Sequence, residues 1–253
     1  MKLTHIITAS LTSATLLFSA AHANIVGEHY DYRVDGMDYR GYVAHNSALP
    51  ESKGTVLIIH DWDGVNDYEH RRAEMLAAQG YTAFAIDLFG RDRQPTSMQE
   101  NQQRTGELYA DRDEFRTRLM GALAAAGNIP GATDNIVVLG YCFGGAAVLE
   151  MARAGAEVNG FVSFHGGLDL PEGQNYDDVA APVLVLHGSA DPVSGLTDVA
   201  ALLNGLQAAG VEHNAQIFGG ARHSFTVYGS RDYDLAADTG SWNALLGFLN
   251  DKL

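Results

Sequence analysis

The sequence has one cysteine, so no disulfide can close within the chain. Its fold must be held without covalent staples, whatever the redox state of its compartment. Basic residues are also scarce. Sixteen Lys and Arg stand against 31 Asp and Glu, a formal net charge of −15. That balance excludes the positive stripe of a nucleic-acid binder, and an anionic membrane surface repels it. No apolar run is long enough for a membrane span of roughly 20 residues. The stretch from Ile6 to Phe18 comes nearest, and Thr and Ser interrupt it. No cysteine directly follows the cleavage site and no Arg pair precedes the apolar stretch, which argues against a lipoprotein and against the twin-arginine route.

What that stretch does match is a secretory signal. Lys2 leads into a short apolar centre, and small residues surround Ala23 in Ala21-His22-Ala23. The expectation is a signal peptide over residues 1–23 and a periplasmic or secreted mature protein with no membrane attachment. A composition of 46% hydrophobic and 19% charged residues is that of a folded domain. Residues 24–253 suit one α/β domain, expected as a monomer.

The pattern opens with alternation. Tyr30, Tyr32 and Val34 alternate with polar residues, Asp35-Gly36 follows, and Met37, Tyr39, Gly41 and Val43 alternate again. Alternation around Asp-Gly predicts an antiparallel hairpin. Near-continuous apolar runs come next, at residues 55–60, 81–88, 135–141, 160–166 and 182–188, with a weaker one at 213–219. Such runs read as parallel strands covered on both faces. Helical patterns fall between most of them, including residues 67–80 with a glycine stop, one stretch between Met98 and Gly127, residues 195–210 and residues 240–253. The predicted fold is α/β: a mostly parallel central sheet with helices on both faces and an N-terminal antiparallel hairpin.

In such sheets ligands sit at the carboxyl ends of the strands. Cys142 follows the 135–141 run, Asp191 follows the 182–188 run and His223 follows the last one. Nucleophile, acid, histidine is the chain order of α/β-hydrolases. Gly140 and Gly144 flank Cys142 two residues either side, as a sharp strand-to-helix elbow requires. The helix N-terminus there favours a thiolate, and the N–H of Phe143 is placed to hold an oxyanion. The expected arrangement is a Cys142 thiolate paired with His223, with Asp191 orienting the imidazole. His60, Asp61, Asp63, Asn66 and Asp67 cluster in sequence, but they lack the glutamate and third oxygen position of a calcium loop and a second histidine for zinc. No metal and no cofactor are expected.

The segments "LGYCFGG", "HGSADPV" and "ARHSF", in this order, resemble the dienelactone hydrolase family (carboxymethylenebutenolidase-like) over roughly the whole mature chain. The resemblance implies an α/β-hydrolase fold and a Cys142–His223–Asp191 triad. It also implies an oxyanion hole from the backbone N–H groups of Phe143 and Trp62. Asp61 stands where founding members carry a glutamate that bonds the resting thiol, and it is one methylene shorter. Arg91 in "DLFGRDR" matches an arginine that grips a substrate carboxylate. His165 and Tyr141 are the other substrate-binding candidates. A second family arginine, shortly after the histidine, is replaced by Val227. Hydrolysis of small esters or lactones through an acyl-thioester is therefore expected more firmly than turnover of a dianionic dienelactone. The alternative is a non-catalytic small-molecule-binding protein on the same scaffold. A thiol redox sensor is disfavoured, because the chain has no second cysteine to resolve it.

Overall fold

The computed structural model describes residues 24–253, so the signal-like segment 1–23 lies outside the described residues. Eight strands form one sheet in the order β1-β2-β4-β3-β5-β6-β7-β8. The hairpin is β1 (Ile25–Val34) and β2 (Met37–Asn46). Its turn places Asp35 and Gly36 at φ 45° and 82°, a left-handed pair that Asp-Gly tolerates. β1 starts earlier than the alternation suggested, because all ten of its residues pair with β2. β2 runs antiparallel to β4 (Thr82–Ile86). From β4 onward the sheet is parallel through β3 (Thr55–Ile59), β5 (Ile136–Tyr141), β6 (Gly160–Phe164), β7 (Val183–Gly188) and β8 (His213–Phe218).

The apolar runs are continuous because both faces of the central strands are covered. In β3, Leu57 and Ile59 join the core beneath α3 (Arg112–Ala126), α4 (Phe143–Arg153) and α5 (Leu196–Ala208). Val56 and Ile58 join the opposite core, beneath α1 (Asp67–Ala78) and α6 (Leu235–Lys252). All four are fully buried, each worth about 1.5–3 kcal/mol relative to exposure. No helix of the described residues is long and apolar enough to cross a membrane.

Two helix boundaries differ from the sequence reading. Residues 98–127 form two helices, α2 (Met98–Ala110) and α3, broken at Asp111. Asp111 leaves helical geometry at φ −122°, ψ 89°, and its carboxylate caps α3 by accepting the Glu114 N–H at 3.0 Å. The last helix begins at Leu235 rather than near residue 240, because Asp234 caps the N–H groups of Ala236 and Ala237 at 2.9 and 3.0 Å.

Candidate active site

The elbow is built by close backbone approach. A Cβ on Gly140 would collide with the Gly144 carbonyl, and a Cβ on Gly144 would collide with the carbonyls of Ile59 and His60. Only glycine lets the end of β5 and the start of α4 pass this close to the end of β3. Cys142 between them sits at φ 54°, ψ −113°, a conformation rarely held by a residue with a side chain. That strain lifts its sulfur above the sheet.

Three strand ends then meet. His223 Nε2 lies 3.0 Å from Cys142 Sγ, and His223 Nδ1 lies 2.8 Å from Asp191 Oδ2. The other carboxylate oxygen of Asp191 accepts the N–H groups of Val193 and Ser194 at 2.7 and 3.3 Å. Burial by itself raises the Asp191 carboxyl, but the hydrogen bond and charge of His223 and the Val193 N–H outweigh it. The group is held below the usual carboxylate range.

The loop after β3 supplies a second wall. Leu88 N–H donates to His60 Nε2 at 3.2 Å, so the proton of that ring sits on Nδ1 and is donated to the Asp61 carbonyl at 2.6 Å. Buried Glu69 accepts the Asp61 and Asn66 N–H groups at 3.4 and 3.0 Å. This bracing fixes Trp62, whose N–H bears on the Cys142 sulfur together with that of Phe143.

The surroundings of the thiol act against the resting ion pair expected from the sequence. Burial pushes the Cys142 thiol up, and the charges of Asp61 and Asp191 push the same way. The N–H groups of Phe143 and Trp62 oppose them without prevailing. The net push is toward the protonated thiol. A helix N-terminus is worth about 1 kcal/mol, too little against burial with carboxylates nearby. Asp61 itself is buried, and its carboxyl is raised by burial first and then by Asp63 and Glu69. It accepts the Asp63 N–H at 3.2 Å and makes no hydrogen bond to the sulfur; its ionised form pushes the thiol up.

The cleft above Cys142 has a volume of about 350 Å³. Trp62, Tyr109, Phe143 and Val193 give it an apolar wall, and none of its lining residues is Lys or Arg. Tyr109 and Thr105, one helical turn apart on α2, were missed by sequence reasoning. The available signal was an aromatic residue on a mostly polar helix. The Tyr109 ring packs edge-on against Phe143 at 5.5 Å.

None of the three substrate-binding candidates lines the cleft. Arg91 lies outside the cleft and is held by Asp31, Asp38 and Asp92 at 3.6, 3.4 and 3.7 Å, two of them supplied by the hairpin. Tyr141 is fully buried, packed on Tyr68 and Phe164 at ring distances of 5.2 and 4.7 Å. Its side chain points below the sheet because alternation along β5 puts it on the face opposite the sulfur's approach. His165 is also fully buried and lies beneath the elbow rather than in the cleft. Among the described residues, no group of three or more His, Cys, Asp or Glu is placed to hold a metal ion.

A parallel sheet with an antiparallel hairpin, a glycine-flanked elbow and a histidine between sulfur and carboxylate define an α/β-hydrolase. The chain belongs to the dienelactone hydrolase family, whose family model matches residues 39–253. It is a hydrolase of the class acting on lactones or esters. It is 25% identical over 250 residues to a Methylorubrum extorquens protein named as a candidate carboxymethylenebutenolidase, covering 93% of this chain and 84% of that one. It is 26% identical over 204 residues to a Bradyrhizobium protein named a probable 2-oxo-3-(5-oxofuran-2-ylidene)propanoate lactonase, covering 77% and 82% of the two chains. Among solved structures it resembles a dienelactone hydrolase-like promiscuous phosphotriesterase from metagenomic libraries, with a TM-score of 0.84 and 28% identity over 90% of this chain and 99% of that one. The dienelactone hydrolase of Anabaena variabilis shares the fold, with a TM-score of 0.70 and 21% identity over 91% and 99% of the two chains.

Proposed function

We propose that the chain is an exported hydrolase of small, neutral esters or lactones that works through Cys142, His223 and Asp191. The observation that carries this reading is the pair of contacts across His223, 3.0 Å to sulfur and 2.8 Å to carboxylate. As the sulfur attacks the ester carbonyl, its proton passes to His223 Nε2, and Asp191 stabilises the imidazolium. The carbonyl oxygen becomes an oxyanion facing the N–H groups of Phe143 and Trp62. The imidazolium then gives its proton to the leaving alkoxide, and an acyl-thioester remains. Water, deprotonated by His223, attacks the thioester; the C–S bond breaks, the carboxylic acid leaves, and the proton on His223 returns to the sulfur. The upward push on the Cys142 thiol fits this order, in which the proton leaves as the sulfur attacks.

The substrate reading rests on the lining of the cleft. An apolar wall without a cation disfavours a charged acyl group, which would lose its hydration with no partner in return. The export reading rests on residues 1–23, and a mature protein beginning near Asn24 in N-terminal sequencing tests it. For the chemistry, Cys142→Ala is expected to abolish turnover of p-nitrophenyl butyrate. Mass spectrometry of quenched wild type is expected to show an acyl adduct on Cys142. Retained turnover in the Ala variant refutes the nucleophile. A wild type that binds but never turns over an ester panel favours the binding-protein alternative.

A further inference from the structure

Below the elbow runs a buried polar chain that the reaction above leaves unused. The Cys142 N–H is shared between the Phe164 carbonyl at 3.1 Å and His165 Nδ1 at 3.2 Å. His165 Nε2 lies 2.8 Å from Thr226 Oγ1, which lies 2.6 Å from the Tyr68 hydroxyl. His165 and Thr226 are both fully buried. Thr226 is anchored in turn, its carbonyl accepting from Arg72 at 2.8 Å, and Arg72 is paired with Asp238 at 2.5 Å.

A backbone N–H can only donate. Nδ1 of His165 must therefore be the bare nitrogen, and its proton must sit on Nε2. Thr226 Oγ1 then accepts that proton and turns its own hydrogen toward Tyr68. One amide at the elbow thus sets the direction of every bond in the chain. His165 itself is held at φ 37°, a position a non-glycine residue keeps only when its surroundings impose it. Its ring stands edge-on to that of His223, 5.4 Å away.

We propose that His165 is a positioning residue for the nucleophile: in the Nε2–H tautomer set by the Cys142 amide and supported by Thr226 and Tyr68, it holds that amide and so aims the sulfur at His223 and at the Phe143 N–H. The proposal rests on the nucleophile reading for Cys142. The ring must stay neutral to do this. A second proton would fill the lone pair that receives the Cys142 N–H and set a positive charge against the His223 imidazolium. Burial, and then the proximity of His223, hold its pKa well below the ordinary histidine value. The elbow is a strained turn, and misplacing its sulfur by about 1 Å costs on the order of 100-fold in rate.

The test is steady-state kinetics on p-nitrophenyl butyrate with His165→Leu, His165→Asn and Thr226→Val. His165→Leu is expected to lower kcat about 100-fold with KM little changed, because the cleft wall is untouched. His165→Asn can place an amide oxygen near the Nδ1 site, and is expected to recover about tenfold of that loss. Thr226→Val is expected to lower kcat about tenfold, and nitrogen-15 NMR should show the His165 tautomer signature of the wild type disturbed. Equal losses in the Leu and Asn variants, or kcat within threefold of wild type in His165→Leu, overturn the proposal. If the Leu variant does not fold, Thr226→Val decides, and unchanged kcat with an unchanged tautomer signature overturns it. If the wild type hydrolyses no ester, the rate of Cys142 alkylation by iodoacetamide replaces kcat. An alkylation rate identical across wild type and the variants then counts against His165, independently of the proposed reaction.

Discussion

Replacing Asp191 by Asn tests the catalytic reading at its least exposed member. The change removes one charge and leaves shape nearly intact, so its effect depends on orientation. The Oδ1 site receives two backbone N–H groups, from Val193 at 2.7 Å and Ser194 at 3.3 Å. An Asn therefore puts its carbonyl oxygen there and its NH₂ toward His223. At the 2.8 Å separation now held by Oδ2 and Nδ1, that NH₂ faces a ring nitrogen that must become the acceptor. The imidazole proton moves to Nε2, the atom that should receive the thiol proton. Base assistance and the stabilising charge are lost together, which is expected to cost roughly 10³–10⁴-fold in kcat, or about 4–5.5 kcal/mol. The assay is kcat and KM for p-nitrophenyl butyrate across pH, with a urea melt to show the fold is kept. KM should change little. A kcat within tenfold of wild type in a folded Asn variant refutes the assignment of Asp191, and with it the tautomer argument.

Three further outcomes are expected. Burial raises the Glu69 carboxyl from 4.5 to about 8. The folded form therefore holds this proton more tightly than the unfolded chain. Stability from this group is greatest below about pH 4.5 and is lost as pH rises toward about 8. Glu69→Gln should flatten the fall of the urea midpoint across that window, leaving only the slope due to other raised carboxyls such as Asp61; an unchanged slope counts against this. Arg72→Met strands the Asp238 charge, since the two side chains are 2% and 6% exposed and 2.5 Å apart. A loss of about 3–5 kcal/mol in urea unfolding is expected, and a loss below about 1 kcal/mol contradicts it. Arg91→Ala should leave kcat/KM within about twofold for both neutral and anionic esters, because its partners are surface carboxylates. A tenfold fall confined to the anionic ester would restore Arg91 as a carboxylate reader.

The family membership and the fold are legible in the sequence for a local reason. Hairpin alternation, fully apolar strands and a glycine two residues either side of Cys142 are each imposed by the immediate backbone. Residues at strand ends inherit their place from the strand, so Cys142, Asp191 and His223 could be named before their 3.0 and 2.8 Å contacts were visible. Helix boundaries were less legible at residues 111 and 234, where a single capping aspartate, not periodicity, decides where a helix starts.

The sequence by itself determined the order of strands and helices, the elbow and the identities of the groups that meet there, because hydrophobic period and backbone sterics act between near neighbours. Only the tertiary structure decided what surrounds those groups. Arg91 is occupied by carboxylates of the hairpin, His165 and Tyr141 are buried beneath the sheet ends, and Tyr109 reaches the cleft from α2. The thiol is pushed up because burial and carboxylates from separate loops outweigh the helix end on which it sits. Desolvation and charge act through space, between residues that may be far apart along the chain.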